Sequence, residues 1–156
     1  MHPPTPPSTD QFIRLINIIA VALVASVLVY VVIAWVVAPT VVEAGGDAEL
    51  IQMMAAILAI VSLGHLVAAQ MLFAIRVRAA EKLPTPEQRL SSYRVAIILS
   101  FALREAVAVY GLILSFLSGD VRWALGFGAV AVMSMFLSWP KRSDMERLGS
   151  EIPLIG

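Results

Sequence analysis

Residues Leu15–Ala38 read LINIIAVALVASVLVYVVIAWVVA, 24 positions broken among strongly polar types only by Asn17 and Ser26. At about 1.5 Å of rise per residue, such a helix spans the ~30 Å apolar core of a bilayer, which needs about 20 residues. The apolar region of a secretory signal is shorter, about 7–15 residues, and follows more basic charge than the single Arg14 found here. The run therefore reads as a membrane span.

Outward from it, the pattern repeats. Apolar runs follow at about residues 50–75, 93–117 and 123–139, the last near the lower length limit for a span. The 156-residue chain is 60% hydrophobic and 14% charged, with mean hydropathy +0.88. A soluble domain carries about 45–50% apolar and about 25% charged residues. The expected fold is all-α, a polytopic membrane protein with four transmembrane helices packed as two hairpins. A mobile Pro-rich arm at 1–11 precedes the four-helix domain at 12–139, and a cytoplasmic tail at 140–156 carries a short helix.

Local signals set the element ends. Ser8 with Gln11 forms a capping-box pattern, and so does Ser143 with Glu146 for a tail helix ending at Gly149. Thr85-Pro86-Glu87-Gln88 combines an N-cap Thr with Pro at the first helical position. Pro39 with Gly45-Gly46 is expected to end the first helix, Ser118-Gly119-Asp120 to turn the third into the fourth, and Pro140 to stop the fourth.

Orientation follows from basic residues, which are retained near helix ends on the cytoplasmic side. The loop between spans two and three and its flanks hold Arg76, Arg78, Lys82, Arg89 and Arg94, and the tail holds Lys141, Arg142 and Arg147. The first loop has none and the third connection only Arg122. Both termini are therefore expected in the cytoplasm. Trp35 and Trp123 would mark the outer interface, Tyr93 and Trp139 the inner one.

Several function classes drop out. Zero formal net charge gives no global field for nucleic acid. The absence of Cys removes disulfides and thiolate chemistry, and His2 and His65 are too far apart to suggest zinc. The sequence has no Gly-rich phosphate loop, nucleophile–base order or paired carboxylates, so no enzyme, cofactor or metal is expected.

The residues that stand out are Arg104 and Glu105, in the middle of span three. With Arg94 at the inner interface, Glu105 lies about 16 Å deeper by helical rise, near the midplane. Charge there costs a few kcal/mol and as a rule faces protein or water. His65 precedes Arg76 by as many residues as Glu105 follows Arg94, so both lie at one depth on antiparallel neighbours; Gln70 and Ser100 match in the same way. An intramembrane polar cluster of Arg104, His65, Gln70 and Ser100 around Glu105 is thus geometrically open. Neighbours in sequence point about 100° apart, so Arg104 and Glu105 need different partners. Arg104 shares a stripe with Ser100, Gly111 and Ser115, and Glu105 shares one with Phe101, Ala108, Val109 and Leu112. In span four, Ala124, Gly128, Ala131 and Ser138 form a small-residue stripe that favours close helix approach.

Residues 102–112, Ala-Leu-Arg-Glu-Ala-Val-Ala-Val-Tyr-Gly-Leu, resemble the carboxylate-bearing helix of rotary-ATPase proteolipids, the c subunits of ATP synthases and their V-type relatives. The resemblance covers one helix. It implies that Glu105 takes up and releases an ion, that Tyr110 helps to hold it, and that Ala106, where sodium-binding members carry a hydroxyl, favours the proton. The chain departs from the family in lacking its Gly ladder and Arg-Gln-Pro loop, in its two additional helices, and in Arg104 beside the carboxylate.

Two functions stay open on these residues. One is a small membrane protein with a proteolipid-like intramembrane carboxylate that binds or relays protons. The other is a non-transporting structural or assembly protein whose buried Arg104 and Glu105 lock helices or bind a partner subunit. The expected location is the bacterial inner membrane. The expected partners are the lipid bilayer and either further copies of the chain or a membrane-complex subunit.

Overall fold

The computed structural model describes residues 9–41 and 47–150. His2, Ser8 with its expected capping box, and Gly45-Gly46 lie outside these. The described residues form five helices and no strand: α1 (Thr9–Val41), α2 (Ala48–Ala80), α3 (Pro86–Ser118), α4 (Arg122–Leu137) and α5 (Arg142–Gly149). At about 1.5 Å per residue the first three are ~50 Å long, and each is long and apolar enough to cross a membrane. α4 alone is shorter, about 24 Å. With α5, which it meets at 46° across a break at residues 138–141, it makes a bent pair that by length and composition together would count as one span.

Helix ends follow the local chemistry with three corrections. Thr85 Oγ1 accepts from Gln88 N at 3.3 Å, with Pro86 at the first helical position, and Gly119 closes α3 at φ 68°, a left-handed turn open to glycine. Residues 9–11, assigned on composition to the mobile arm, are helical: Asp10 suits a helix N-terminus, and Phe12 and Ile16 one turn on are buried. Pro39 does not end α1, which runs on to Val41; the helix forgoes the one bond that residue 39 would have made to the Trp35 carbonyl. Ser143 does not cap α5, which starts one residue earlier. The Glu146 carboxylate that would complete the box is taken by Arg142 Nε at 2.6 Å.

α3 is the hub. α2, α4, α1 and α5 all pack on it, and α1 also reaches α4 and α5, but α1 and α2 have almost no mutual contact. The expected packing as two hairpins is therefore corrected: α3–α4 is a packed hairpin, while α1 leaves its sequence neighbour to lie across α3 and α4. The reason is in the faces. In its most apolar stretch α3 is 44% buried, against 17% for α1 and 11% for α2. α3 carries the small and polar positions, Ser100, Ala108, Gly111 and Ser115, that let neighbours approach. A Cβ built on Gly111 would lie 2.7 Å from both the Trp123 carbonyl oxygen and Phe127 Cβ, so α3 and α4 touch backbone to backbone there. Gly128, with Ala124 and Ala131, turns the small stripe of α4 inward, and Val31 of α1 fits 3.1 Å from where a Cβ at Gly128 would be.

At the basic end, Tyr93, Ile97, Phe12, Ile16, Met145 and Leu148 close the core between α1, α3 and α5. Tyr93, expected to mark the inner interface, is fully buried there and packs on Phe73 with ring centroids 5.9 Å apart. Along their middle stretches the outward faces of α1 and α2 are largely apolar, including Val32, Trp35 and Ile60, while Asp10, Arg14, Glu49, Arg76 and Arg78 are exposed toward the helix ends.

Candidate functional site

Arg104 and Glu105 leave α3 on different sides, and each finds its own partners. The arginine side chain points back along the helix, as helical side chains do, so its guanidinium lies about one turn, some 6 Å, toward the basic end from its own Cα. Nη1 donates to the Ser100 carbonyl at 3.0 Å and to Ser100 Oγ, while Nη2 donates to Gln70 Oε1 at 3.1 Å and to Ser138 Oγ at 2.8 Å. One side chain thus ties α2, α3 and the end of α4 together. It is 2% exposed, and no carboxylate pairs with it among the described residues. Its Nε is buried without a hydrogen-bond partner.

A buried cation without a counter-ion requires another source of negative potential. The oxygens of Ser100, Gln70 and Ser138 supply it, the last of them at the C-terminal end of α4. Free carbonyls at a helix C-terminus carry about half a negative charge. The last turn of α4 has no basic residue of its own, and Arg104 arrives from α3 at Ser138, the residue that caps it. The guanidinium is therefore solvated by neutral oxygens and a helix end.

Glu105 is half-buried and faces α1. Its Oε1 lies 2.6 Å from Ser26 Oγ and 2.7 Å from Tyr30 Oη, two hydroxyls one turn apart on α1. Ser26 Oγ also lies 2.7 Å from the Leu23 carbonyl oxygen. Ser26 has one hydroxyl proton and two acceptors within reach.

The polar cluster expected around residues 104 and 105 is thus divided among three places. Arg104 brings Gln70 and Ser100 together. Glu105 stands apart on the α1 side. His65 joins neither: its Nδ1 is 3.0 Å from the Val61 carbonyl oxygen, and its ring meets Tyr110 edge-on with centroids 5.7 Å apart. Tyr110, given the carboxylate-holding role by the family resemblance, therefore faces α2, and Tyr30 of α1 holds the carboxylate. The geometry explains this: five residues along a helix turn the side chain by about 140°, away from Glu105. Ser26, Tyr30 and Ser138 were not singled out as partners from sequence. The available signal was the spacing of Ser26 and Tyr30, two polar groups four apart in an otherwise apolar helix.

Away from these clusters, Arg142 is held by Glu146 and, at 3.4 Å, by Asp10, and Arg147 pairs with Glu81 at 2.8 Å. The Glu146 hydrogen bond, then its charge and that of Asp10, push the Arg142 guanidinium above its ordinary value. Among the described residues no group of three or more His, Asp or Glu could hold a metal. Comparison with protein-family models, curated proteins and solved structures finds no match.

Proposed function

We propose that the chain is an integral membrane protein of four spans, α4 being the short fourth, with both termini cytoplasmic, and that Glu105 binds and releases a proton within the bilayer. Support for the membrane comes from three helices each long and apolar enough to cross it, whose apolar stretches lie mostly on the outside of the bundle, a surface that water would not tolerate. The inner membrane of a bacterium suits the bias of basic residues toward one end.

The observation that carries the proton reading is the proton count at Ser26. When Glu105 is ionised, Ser26 and Tyr30 both donate to Oε1. When Glu105 is protonated, it donates to Ser26 Oγ, whose own proton turns to the Leu23 carbonyl. Both states satisfy Ser26, Tyr30 and Oε1 with the heavy atoms in place, differing by the added proton and the rotation of one hydroxyl. A carboxyl group that must only lock two helices gains nothing from this second arrangement. The one-helix likeness to proteolipids supports the same role for Glu105, with Ser26 and Tyr30 in place of Tyr110 as its partners.

The test is a hydrophobic carbodiimide, which attacks protonated carboxyl groups from the lipid phase. In native membranes we expect a mass shift on the peptide holding Glu105 that diminishes as pH rises and is absent in Glu105→Gln. That variant should remain folded, because the amide oxygen still accepts from Ser26 and Tyr30. An unlabelled Glu105 across the whole pH range of the folded protein would sink the proton reading.

A second reading, a structural or assembly protein, is favoured by Arg104, whose bonds to α2, α3 and the end of α4 are those of a clamp. It predicts the unlabelled outcome.

The topology has its own measurement. The chain lacks Cys, so single cysteines at Thr85 and Glu49 report each side. In intact cells an impermeant thiol reagent should label position 49 and spare position 85; the reverse pattern would overturn the orientation.

A further inference from the structure

A second polar site lies where α1 enters the bundle beside α5. Asp10, Arg14, Asn17 and Arg142 form the polar part of a cleft of about 790 Å³, and Ile18 and Val21 of α1 continue its wall as an apolar track. The charges there are unequal in their commitments. Asp10 is 3.4 Å from Arg142, and Arg142 is also 2.6 Å from Glu146. Arg14, exposed and lining the cleft, has no carboxylate within 4 Å among the described residues. The same end of the molecule carries Arg76, Arg78, Lys82, Arg94 and Lys141, also without carboxylate partners among the described residues. Glu81, Asp144, Glu146 and Asp10 are taken by Arg142 and Arg147, and Glu87 is exposed without an ion pair among the described residues.

We propose that this cleft binds one anionic phospholipid of the inner leaflet, its phosphate on Arg14 and its acyl chain along Ile18 and Val21. Charge complementarity selects the occupant: one uncompensated cation, the Asn17 amide as a neutral hydrogen-bonding group beside it, and an apolar wall leading away from both. A soluble anion would use the arginine and leave the wall uncovered. A zwitterionic lipid would cover the wall, and its own ammonium would offset the phosphate. The cleft stands apart from Arg104 and Glu105 and is independent of proton binding, but it rests on the membrane reading.

The experiment uses the full chain. First, flotation with phosphatidylcholine vesicles tests membrane association; a chain that fails to float overturns the membrane reading and this site with it. Next, phosphatidylglycerol and phosphatidylcholine are titrated onto the detergent-purified protein, with bound lipid counted by native mass spectrometry. Near a membrane surface one arginine contributes about 1 kcal/mol toward an anionic lipid, roughly fivefold in affinity. We expect about that preference for phosphatidylglycerol in the native chain, its loss in Arg14→Gln, and its retention in Arg78→Gln. Asn17→Leu, which keeps the charge, should reduce affinity for both lipids and serves if Arg14→Gln does not fold. Equal binding of the two lipids by a chain that floats would overturn the site alone. So would an equal loss in Arg78→Gln, which would mean diffuse attraction, or full competition by inorganic phosphate at millimolar concentration, which would mean a soluble-anion site.

Discussion

Arg104→Lys is expected to destabilise the bundle by about 3 kcal/mol, more than the apparently harsher Arg104→Met. Lysine keeps the charge but presents one ammonium on a different stem. It cannot serve Ser100, Gln70 and Ser138 together, as the two guanidinium Nη groups do. Losing two hydrogen bonds from a charged donor, each worth about 1.5–3 kcal/mol, leaves a buried cation poorly solvated. Methionine fills similar volume and removes the charge with its desolvation cost, so its net effect should be small, as when buried charges give way to apolar residues. The freed Ser100 hydroxyl can turn to a backbone carbonyl, and Gln70 is exposed enough to find water or a headgroup. Reversible unfolding of the three proteins in one detergent decides the matter. A Lys variant as stable as the native chain, with Met the weakest, would show that charge rather than the three-helix bonding is what the position needs.

Gly111→Val should have an effect of similar size on a different contact. The Cβ would fall 2.7 Å from the Trp123 carbonyl oxygen and 3.1 Å from Ala124 Cα, both backbone atoms. No rotamer change relieves that, so α4 must shift away from α3. Overpacking of this kind costs about 1–3 kcal/mol, and two further methyl groups put valine toward the upper end. Gly126→Val is the control: nothing lies within 4 Å of a Cβ built there, and its stability should stay within about 0.5 kcal/mol of native. The shift also moves Ser138 relative to Arg104. Gly111→Val should therefore lose the additional destabilisation that Arg104→Lys causes in the native background, a coupling a double-mutant cycle would measure. Equal melting of the Gly111 and Gly126 variants would refute the close α3–α4 crossing.

Much of the fold was legible because the pattern behind it is one-dimensional. A run of 24 residues with two polar interruptions can satisfy its backbone in an apolar medium only as a helix. Thr85-Pro86, Gly119 and the proline after α4 punctuate the chain through backbone geometry that acts within four residues. Residues 104 and 105 stood out for the same local reason, since charge within such a run is costly wherever its neighbours lie. Even the match in depth between Gln70 and Ser100 needed no more than helical rise, and Arg104 joins the two.

What the sequence could not decide was which faces meet. α1 and α2 carry only a few scattered polar residues between their ends, so hydropathy gives neither a clear preferred side, and chain adjacency suggested a hairpin. Packing chose otherwise, because α3 holds the small residues that admit close neighbours. That choice set α1 against Glu105 and supplied Ser26 and Tyr30, hydroxyls more than seventy residues away in sequence. It also brought the broken end of α4 to Arg104, so that a helix terminus rather than a carboxylate faces the buried cation. Sequence alone determined that two charges sit in an apolar helix. Tertiary structure decided that they are not each other's partners, because adjacent residues on a helix diverge by about 100° and each is answered by whichever helix packs on its side.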